Sequence, residues 1–293
     1  MLDFLLLRLT PGDPAAILAG DAATSENIAA IRASLGLDRP LVVQFGIWLG
    51  KVLAGDLGQS FYYRMNVASL IAQRLEPTCA LALLTIAIAV LAAVPLGVLA
   101  AWRHGGWLDR VLMAFSVAGF SVPVFVVAYM LIWLVSLKLG WLPAQGYVRI
   151  SEGLLPFIRH LILPSITLSF IYIALIARVT RASVLEALGE DYIRTARAKG
   201  LPELRVLVRH ALANAAVPIT TVIGLGVALL IGGVVVTESV YAIPGLGRLT
   251  VDAVLARDFP TIQGVILFFS FVYVMVNLLV DLSYVFLDPR IRY

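Results

Sequence analysis

Long uncharged apolar runs alternate with shorter polar segments along most of the chain. The runs extend from Pro77 to Trp102, Val111 to Leu137, Leu161 to Ala177, Ala211 to Thr237 and Thr261 to Val280. A helix needs about 20 apolar residues to cross the hydrocarbon core, and four runs reach that length. The Leu161 run is shorter, but His160 and Arg178 flank it, and long polar side chains at span ends reach to the interfaces. The pattern therefore predicts five complete transmembrane helices. A closed barrel, the other structure that satisfies its backbone in lipid, would show alternating ten-residue segments, and none are present.

Composition agrees. The 293 residues are 61% hydrophobic and 14% charged, against about 25% charged in soluble domains. The N-terminal "MLDFLLLRLTPGDP" is too short to span before Pro11 and has no basic leader ahead of it. It is expected to be an interfacial stub or the end of a first helix that begins upstream. Between it and the first full run, residues 10–76 carry a helical pattern at Ile28, Ile31 and Leu35, with Arg32 turned outward. Cys79 lies inside a run and has no intrachain partner with which to form a disulfide.

Basic residues are unevenly placed. The segment from Arg178 to His210 holds Arg178, Arg181, Arg194, Arg197, Lys199, Arg205 and Arg209. The loop two runs earlier has Arg103 and Arg110, and the tail has Arg290 and Arg292. Positively charged short loops stay in the cytoplasm, so these three segments are expected inside. Lys138–Arg159, residues 239–260 and residues 10–76 are then expected outside.

The densest polar block, "GEDYIRTARAKGLPELRVLVRHALAN", spans Gly189–Asn214. Glu190 and Asp191 open a short helix and Arg197 and Lys199 close it, each sign complementing the macrodipole. Gly200 stands where a left-handed residue ends a helix, and Pro202 prevents continuation. Downstream, Leu204, Leu207, Val208, Ala211 and Leu212 recur at helical spacing, with Arg205 and Arg209 on another face. Ala196 and Ala198 sit where a partner's backbone has room to approach. Three readings fit a basic helix–break–helix: a DNA-binding helix-turn-helix, an electrostatic anchor on anionic lipid, or a shaped contact for a partner protein. Tethering to spans at both ends argues against DNA, and the defined break argues against a plain anchor.

At this point the residues resemble a known family. "EDYIRTARAKGL" followed by "RHALANAAVP" is similar to the cytoplasmic EAA loop of bacterial binding-protein-dependent ABC importer permeases, in the dipeptide, oligopeptide and nickel branch (B-type permease). That loop has the pattern Glu-Ala-Ala, three residues, Gly, nine residues, Ile-x-Leu-Pro. Here Ala196 takes the second Ala, Gly200 the Gly, His210 the Ile position and Leu212 the Leu. Arg194, Thr195 and Ala213 depart from the pattern, and the Arg-Thr-Ala form is common in this branch. Further motifs resemble the branch in order along the chain: "RLTPGDP" (Arg8–Pro14), "LGLDRP" (Leu35–Pro40), "GDLGQS" (Gly55–Ser60), "IPGLGRL" (Ile243–Leu249), "RDFPTIQG" (Arg257–Gly264) and "NLLVDLSYVFLDPRIR" (Asn277–Arg292).

The resemblance implies an all-α polytopic membrane protein of the ABC importer type I transmembrane fold. Residues 1–9 would be the remnant of a first transmembrane helix and 10–76 a periplasmic segment. Residues 77–287 would form the permease domain, with a coupling loop over about 183–213 and a periplasmic loop over about 239–260; 288–293 would be a cytoplasmic tail. It implies an inner-membrane permease subunit for peptides, a related small solute or nickel, with a second homologous permease, two ATPase subunits and a periplasmic binding protein as partners. Contact with the ATPase would fall on Arg194, Thr195, Ala196, Arg197, Ala198, Lys199, Gly200 and Leu201. Contact with the binding protein, or a periplasmic gate, would fall on Pro244, Gly245, Leu246 and Gly247. The chain would carry no cofactor or metal of its own; ATP and Mg would be bound by the partner subunits.

Other features bear on the energy source. The sequence contains no G-x-x-x-x-G-K-S/T, H-E-x-x-H or G-x-S-x-G motif, and His104, His160 and His210 are dispersed. Uphill transport then needs a partner ATPase or an ion gradient. A proton-coupled carrier needs acids deep in the membrane, for which Glu238 and Asp281 are the candidates, with Asn277 on the face of Asp281. Small residues recur every fourth position at Ala89, Ala93, Gly97 and Ala101, and at Gly224, Ala228 and Gly232, where helices can pack within this chain, meet another subunit or line a pore. Pro95, Pro123, Pro164 and Pro218 mark possible kinks. "IPGLGRLTVDAVLARDFP" has Leu246, Leu249, Ala253 and Val254 at helical spacing and predicts a short outer helix.

Overall fold

A computed structural model describes residues 24–34 and 38–287 of the chain. The expectations for residues 1–9, for Leu35 and for the tail at 288–293 lie outside these residues. Two short helices come first, α1 (Ser25–Ser34) and α2 (Leu41–Leu53). The long helix α3 (Val67–Trp102) follows. Next are α4 (Trp107–Ser121) and α5 (Val124–Leu131), which runs on as a π-helix over Ile132–Lys138. Then come α6 (Leu154–Leu188), α7 (Asp191–Ala198) and α8 (Glu203–Arg205), which widens into a π-helix over Val206–Leu212. The last three helices are α9 (Ala216–Val240), α10 (Leu246–Leu255) and α11 (Phe259–Leu287). Among the described residues the only β pairing is an isolated bridge between Gln59 and Asn66.

Helices α3, α6 and α11 are each long and apolar enough to cross a bilayer. The count becomes five if α4–α5 and the α8–α9 pair are each taken as one broken span, bent by 104° and 64° respectively. The first bend lies inside the Val111–Leu137 run, at Pro123, one of the expected kinks. Pro123 pushes the preceding residue out of the helical region, and Val122 sits extended at φ −93°, ψ 122°. The second bend lies inside the Ala211–Thr237 run: the helix restarts at Ala216, with Pro218 in its first turn, where a missing N–H breaks no bond. Pro95 and Pro164, by contrast, lie inside continuous helices. Helix ends also run past the apolar runs. α3 begins ten residues before Pro77, and α6 continues through Arg178 and Arg181.

The described residues fall into two compact units, one formed by Pro77–Gly247 with the chain from Val272 onward, the other by the chain up to Glu76 with Arg248–Phe271. In the first, α6 is the central helix, with α4, α5 and α9 packed on it. Of its most apolar stretch 61% is buried, against 6% for α11. Without water to squeeze helices together, close approach through small residues supplies the packing. A Cβ on Gly97 would lie 2.6 Å from Thr180 Cβ, and one on Gly224 would lie 2.2 Å from Val280 Cγ2. Gly97 and Gly224 therefore serve contacts inside this chain, with Ala89, Ala93 and Ala101 buried on the helix of Gly97. The C-terminal part of α6 is tied to the first turn of α4 by a bidentate pair. Arg181 holds the buried Asp109, with Nη2 donating to Oδ2 at 2.8 Å and to His104 Nδ1 at 3.0 Å.

In the second unit, Asp258 is the buried hub. It accepts from the Ser60 hydroxyl, from the Phe61 N–H at 3.0 Å and from the Thr261 hydroxyl at 2.7 Å. These bonds explain why "GDLGQS" and "RDFPTIQG" belong together: they close one network across 198 positions of chain.

Candidate functional site

The polar block forms the two-helix unit expected. α7 ends in a Schellman turn, with the Gly200 N–H donating to Arg197 O at 2.9 Å and Leu201 N–H to Ala196 O at 3.3 Å. Gly200 has φ +75°, the left-handed conformation that only glycine adopts without cost. The carboxylate of Glu203, just past the turn, accepts from Arg197 Nη2 at 2.6 Å and so ties the two helices together. That hydrogen bond also raises the Arg197 pKa, so the guanidinium is charged at every physiological pH. At the other end, Arg194 pairs with Asp191 at 3.2 Å within the helix.

α7 is held by its apolar side. Ile193 and Ala196 are buried in a cluster with Val98, Val184, Val206 and Ala211. The placement of Ala196 corrects the expectation that a partner would approach it, because it is used up inside the chain. Arg194, Thr195, Arg197, Ala198, Lys199 and Gly200 are exposed, while Leu201 is half-buried.

The following helix, whose apolar face was expected against the membrane or neighbouring helices, divides its apolar side chains. Leu207 and Ala211 are buried with Val206, but Leu204 is 74% and Val208 53% exposed. The π-helix over Val206–Leu212 accounts for Val208. Its i→i+5 turn puts Val206 and Ala211 on one line and rotates Val208 away from the core. A stripe read at 3.6 residues per turn misses this.

The outer candidates Pro244, Gly245, Leu246 and Gly247 form a knot around Glu238. That carboxylate is fully buried at the end of α9 and accepts the Thr78 hydroxyl at 2.6 Å. Thr78 in turn accepts the Leu246 N–H at 2.8 Å. A Cβ on Gly245 would stand 2.0 Å from Glu238 Oε1, and one on Gly247 would stand 2.6 Å from Val235 Cα. Gly245, Leu246 and Gly247 are buried, and Pro244 is half-buried. α10 follows, with Leu246, Leu249 and Ala253 inward as expected and Val254 outward. The adjoining outer loop is stitched to the same corner: Gly146 N–H donates to Tyr241 O at 2.9 Å, and Gln145 Nε2 to Val240 O at 3.0 Å.

Sequence reasoning missed Thr78 and the inward use of Glu238. A carboxylate near glycines is visible, but the threonine lies 160 positions away. The second acid, Asp281, is exposed, and Asn277 bonds the Tyr273 carbonyl of its own helix at 2.8 Å.

Comparison with known proteins places these features. Residues 93–293 match the family described as binding-protein-dependent transport system inner membrane component, and residues 1–82 match its N-terminal region. A probable peptide ABC transporter permease protein of Sinorhizobium fredii is 55% identical over 99% of this chain and 93% of its own length. The glutathione transport system permease protein of Escherichia coli is 43% identical over 100% of this chain and 93% of its own. An inward-facing structure of the MetNI methionine ABC transporter shares the fold, with a TM-score of 0.63 at 17% identity over 75% of this chain and 96% of the other. The chain belongs to the binding-protein-dependent inner-membrane transport family, as the non-catalytic, multi-pass permease subunit of an ABC importer.

Proposed function

We propose that this permease admits peptides or peptide-like solutes of the size of glutathione, and that Arg194, Thr195, Arg197, Ala198, Lys199, Gly200 and Leu201 form the seat of the ATPase. The observation that carries the seat is the polarity of α7. Its apolar side is locked into the chain by Ile193 and Ala196, while its basic side stands free between two spans. A rigid, capped lever of this kind passes a push on its outer side into α6 and α9. Closure of two ATPase subunits on ATP and Mg would bias the chain between two conformations. A second homologous permease completes the channel, and the knot at Pro244–Gly247 sets the outer corner that a binding protein meets. Solute choice follows the named relatives, which are peptide and glutathione permeases.

Ala198→Trp tests the seat, because that side chain is exposed and the change leaves the buried face alone. In membranes the variant should insert and keep its permease partner, lose at least tenfold in co-purifying ATPase, and lose uptake. Wild-type ATPase recovery together with wild-type uptake would sink the proposal. Binding of di- and tripeptides and of glutathione to the co-purified binding protein would then settle the solute class.

A further inference from the structure

Helix α2 is built inside out for a segment in water. Its inward side carries the buried Gln44, whose amide donates to the Arg39 carbonyl, with Phe45, Trp48 and Val52 half-buried beside it. Its outward side carries Val42 (83% exposed), Val43, Ile47, Leu49 and Leu53 (80% exposed). At 100° per residue these positions, with Gly46 and Gly50, sweep an arc of about 160°. Lys51 stands at one border of that arc, next to the line of Gln44. No charge occurs from Leu41 to Gly50; Asp38 and Arg39 precede the helix and Asp56 follows it.

We infer that α2 lies in the membrane interface with its Val42–Ile47–Leu53 side in the acyl region, as a monotopic anchor on the outer leaflet under the topology above. Its 13 residues measure about 20 Å, too short to cross a core of about 30 Å. Length and polarity match a helix that lies along the boundary, with polar groups on one border and apolar side chains sunk below. It belongs to the same compact unit as the opening turns of α3 and the first half of α11. Both of those helices are spans by length and composition.

Two protein occupants fit less well. A binding protein docks and leaves, so its landing face must be wettable between visits, and an uncharged patch of this size in water promotes aggregation. A second permease subunit would cover a stripe of roughly 100°, the width that one helix face buries, and leave more than a third of this arc bare. Lipid wets all of it. The inference rests on the membrane location of the chain and not on which solute it carries.

The test uses the complete transporter reconstituted in lipid nanodiscs, with Cys79→Ser as background and bimane on single cysteines. Bimane at Val42→Cys, Ile47→Cys and Leu53→Cys should be quenched at least twofold by phospholipid brominated near the headgroup, and little by iodide in solution. Strong iodide quenching at all three, without lipid quenching, would overturn the inference. Quenching by neither agent would do so too, by showing a protein cover. The unlabelled chain gives a second reading through a diazirine phospholipid. Cross-links on the 40–53 peptide, alongside those on the exposed Leu83 and Leu91 of α3, support the anchor. Cross-links on α3 alone refute it. Neither readout depends on transport.

Discussion

Two glycine turns in this protein do different work. At Gly200 a Cβ would meet nothing within 4 Å, yet φ is +75°. At Gly247 the dihedral makes no such demand, yet a Cβ would strike the Val235 backbone at 2.6 Å. The first glycine is required by conformation and the second by space. The surroundings differ in the same sense. The Gly200 turn is open and charged, and its polar groups face outward. The loop at 244–247 is closed, with one buried carboxylate as its centre. An element meant to be pushed needs a defined shape and a free surface, whereas a corner that must not move needs interlocked packing.

The largest expected effect is therefore at the outer corner. Gly247→Ala places a methyl against backbone, which no rotamer change relieves, and overpacking of this kind costs about 1–3 kcal/mol or more. A several-fold loss of folded protein from membranes is expected, together with a lowered melting midpoint in detergent. A midpoint equal to wild type would break the comparison at once. Gly245→Ala should behave similarly, but its clash is with the Glu238 side chain and not with backbone. Glu238→Ala removes that obstacle and at the same time deprives Thr78 of its acceptor, a loss of about 1–3 kcal/mol. The double variant should then be less damaged than the sum of the singles, by about 1 kcal/mol or more, as expected for groups in contact. Additive effects would show that the glycine is not there for the carboxylate.

Much of this was legible in the residues. Apolar length located the long helices α3, α6 and α11, and helix-stop chemistry located the Gly200 turn, because both depend on neighbours in sequence. What was not legible depends on distant partners or on a changed helical period. Glu238–Thr78, Asp258–Ser60 and Asp109–Arg181 join residues 160, 198 and 72 positions apart, and no local pattern records such pairs. The outward turn of Val208 follows from a π-helix, which a reading at 3.6 residues per turn cannot anticipate. Ala196 and Ala198 look alike in sequence. Only the packing of Ile193 decides that the first of them faces inward.

At the Gly200 turn the effects should be smaller and follow a different order. Gly200→Asn should be nearly silent, because Asn tolerates the left-handed region. Gly200→Val should cost about 1–2 kcal/mol through φ alone. The expected signature is a modest midpoint loss with a larger loss of uptake, since a distorted turn moves the exposed face of α7. Equal damage from Asn and Val would mean that space and not conformation governs here, and the contrast with Gly247 would vanish.

The smallest stability effect is expected for Arg197→Gln. The Arg197–Glu203 pair is half-exposed, at 45% and 36% of the two side chains, and exposed pairs contribute at most about 1 kcal/mol. The melting midpoint should stay close to that of the wild type, in low salt and in high salt alike. Uptake gives the sharper reading. If Arg197 only braces the two helices, Glu203→Gln should reduce uptake as much as Arg197→Gln does, since either change breaks the same bond. If its charge also faces a partner, Arg197→Gln should lower ATPase recovery and uptake well beyond Glu203→Gln at the same midpoint. We expect the second outcome, because α7 is already held by Ile193 and Ala196 and gains little from another brace. A large midpoint loss in Arg197→Gln would instead make the inner turn an interlocked corner like the outer one.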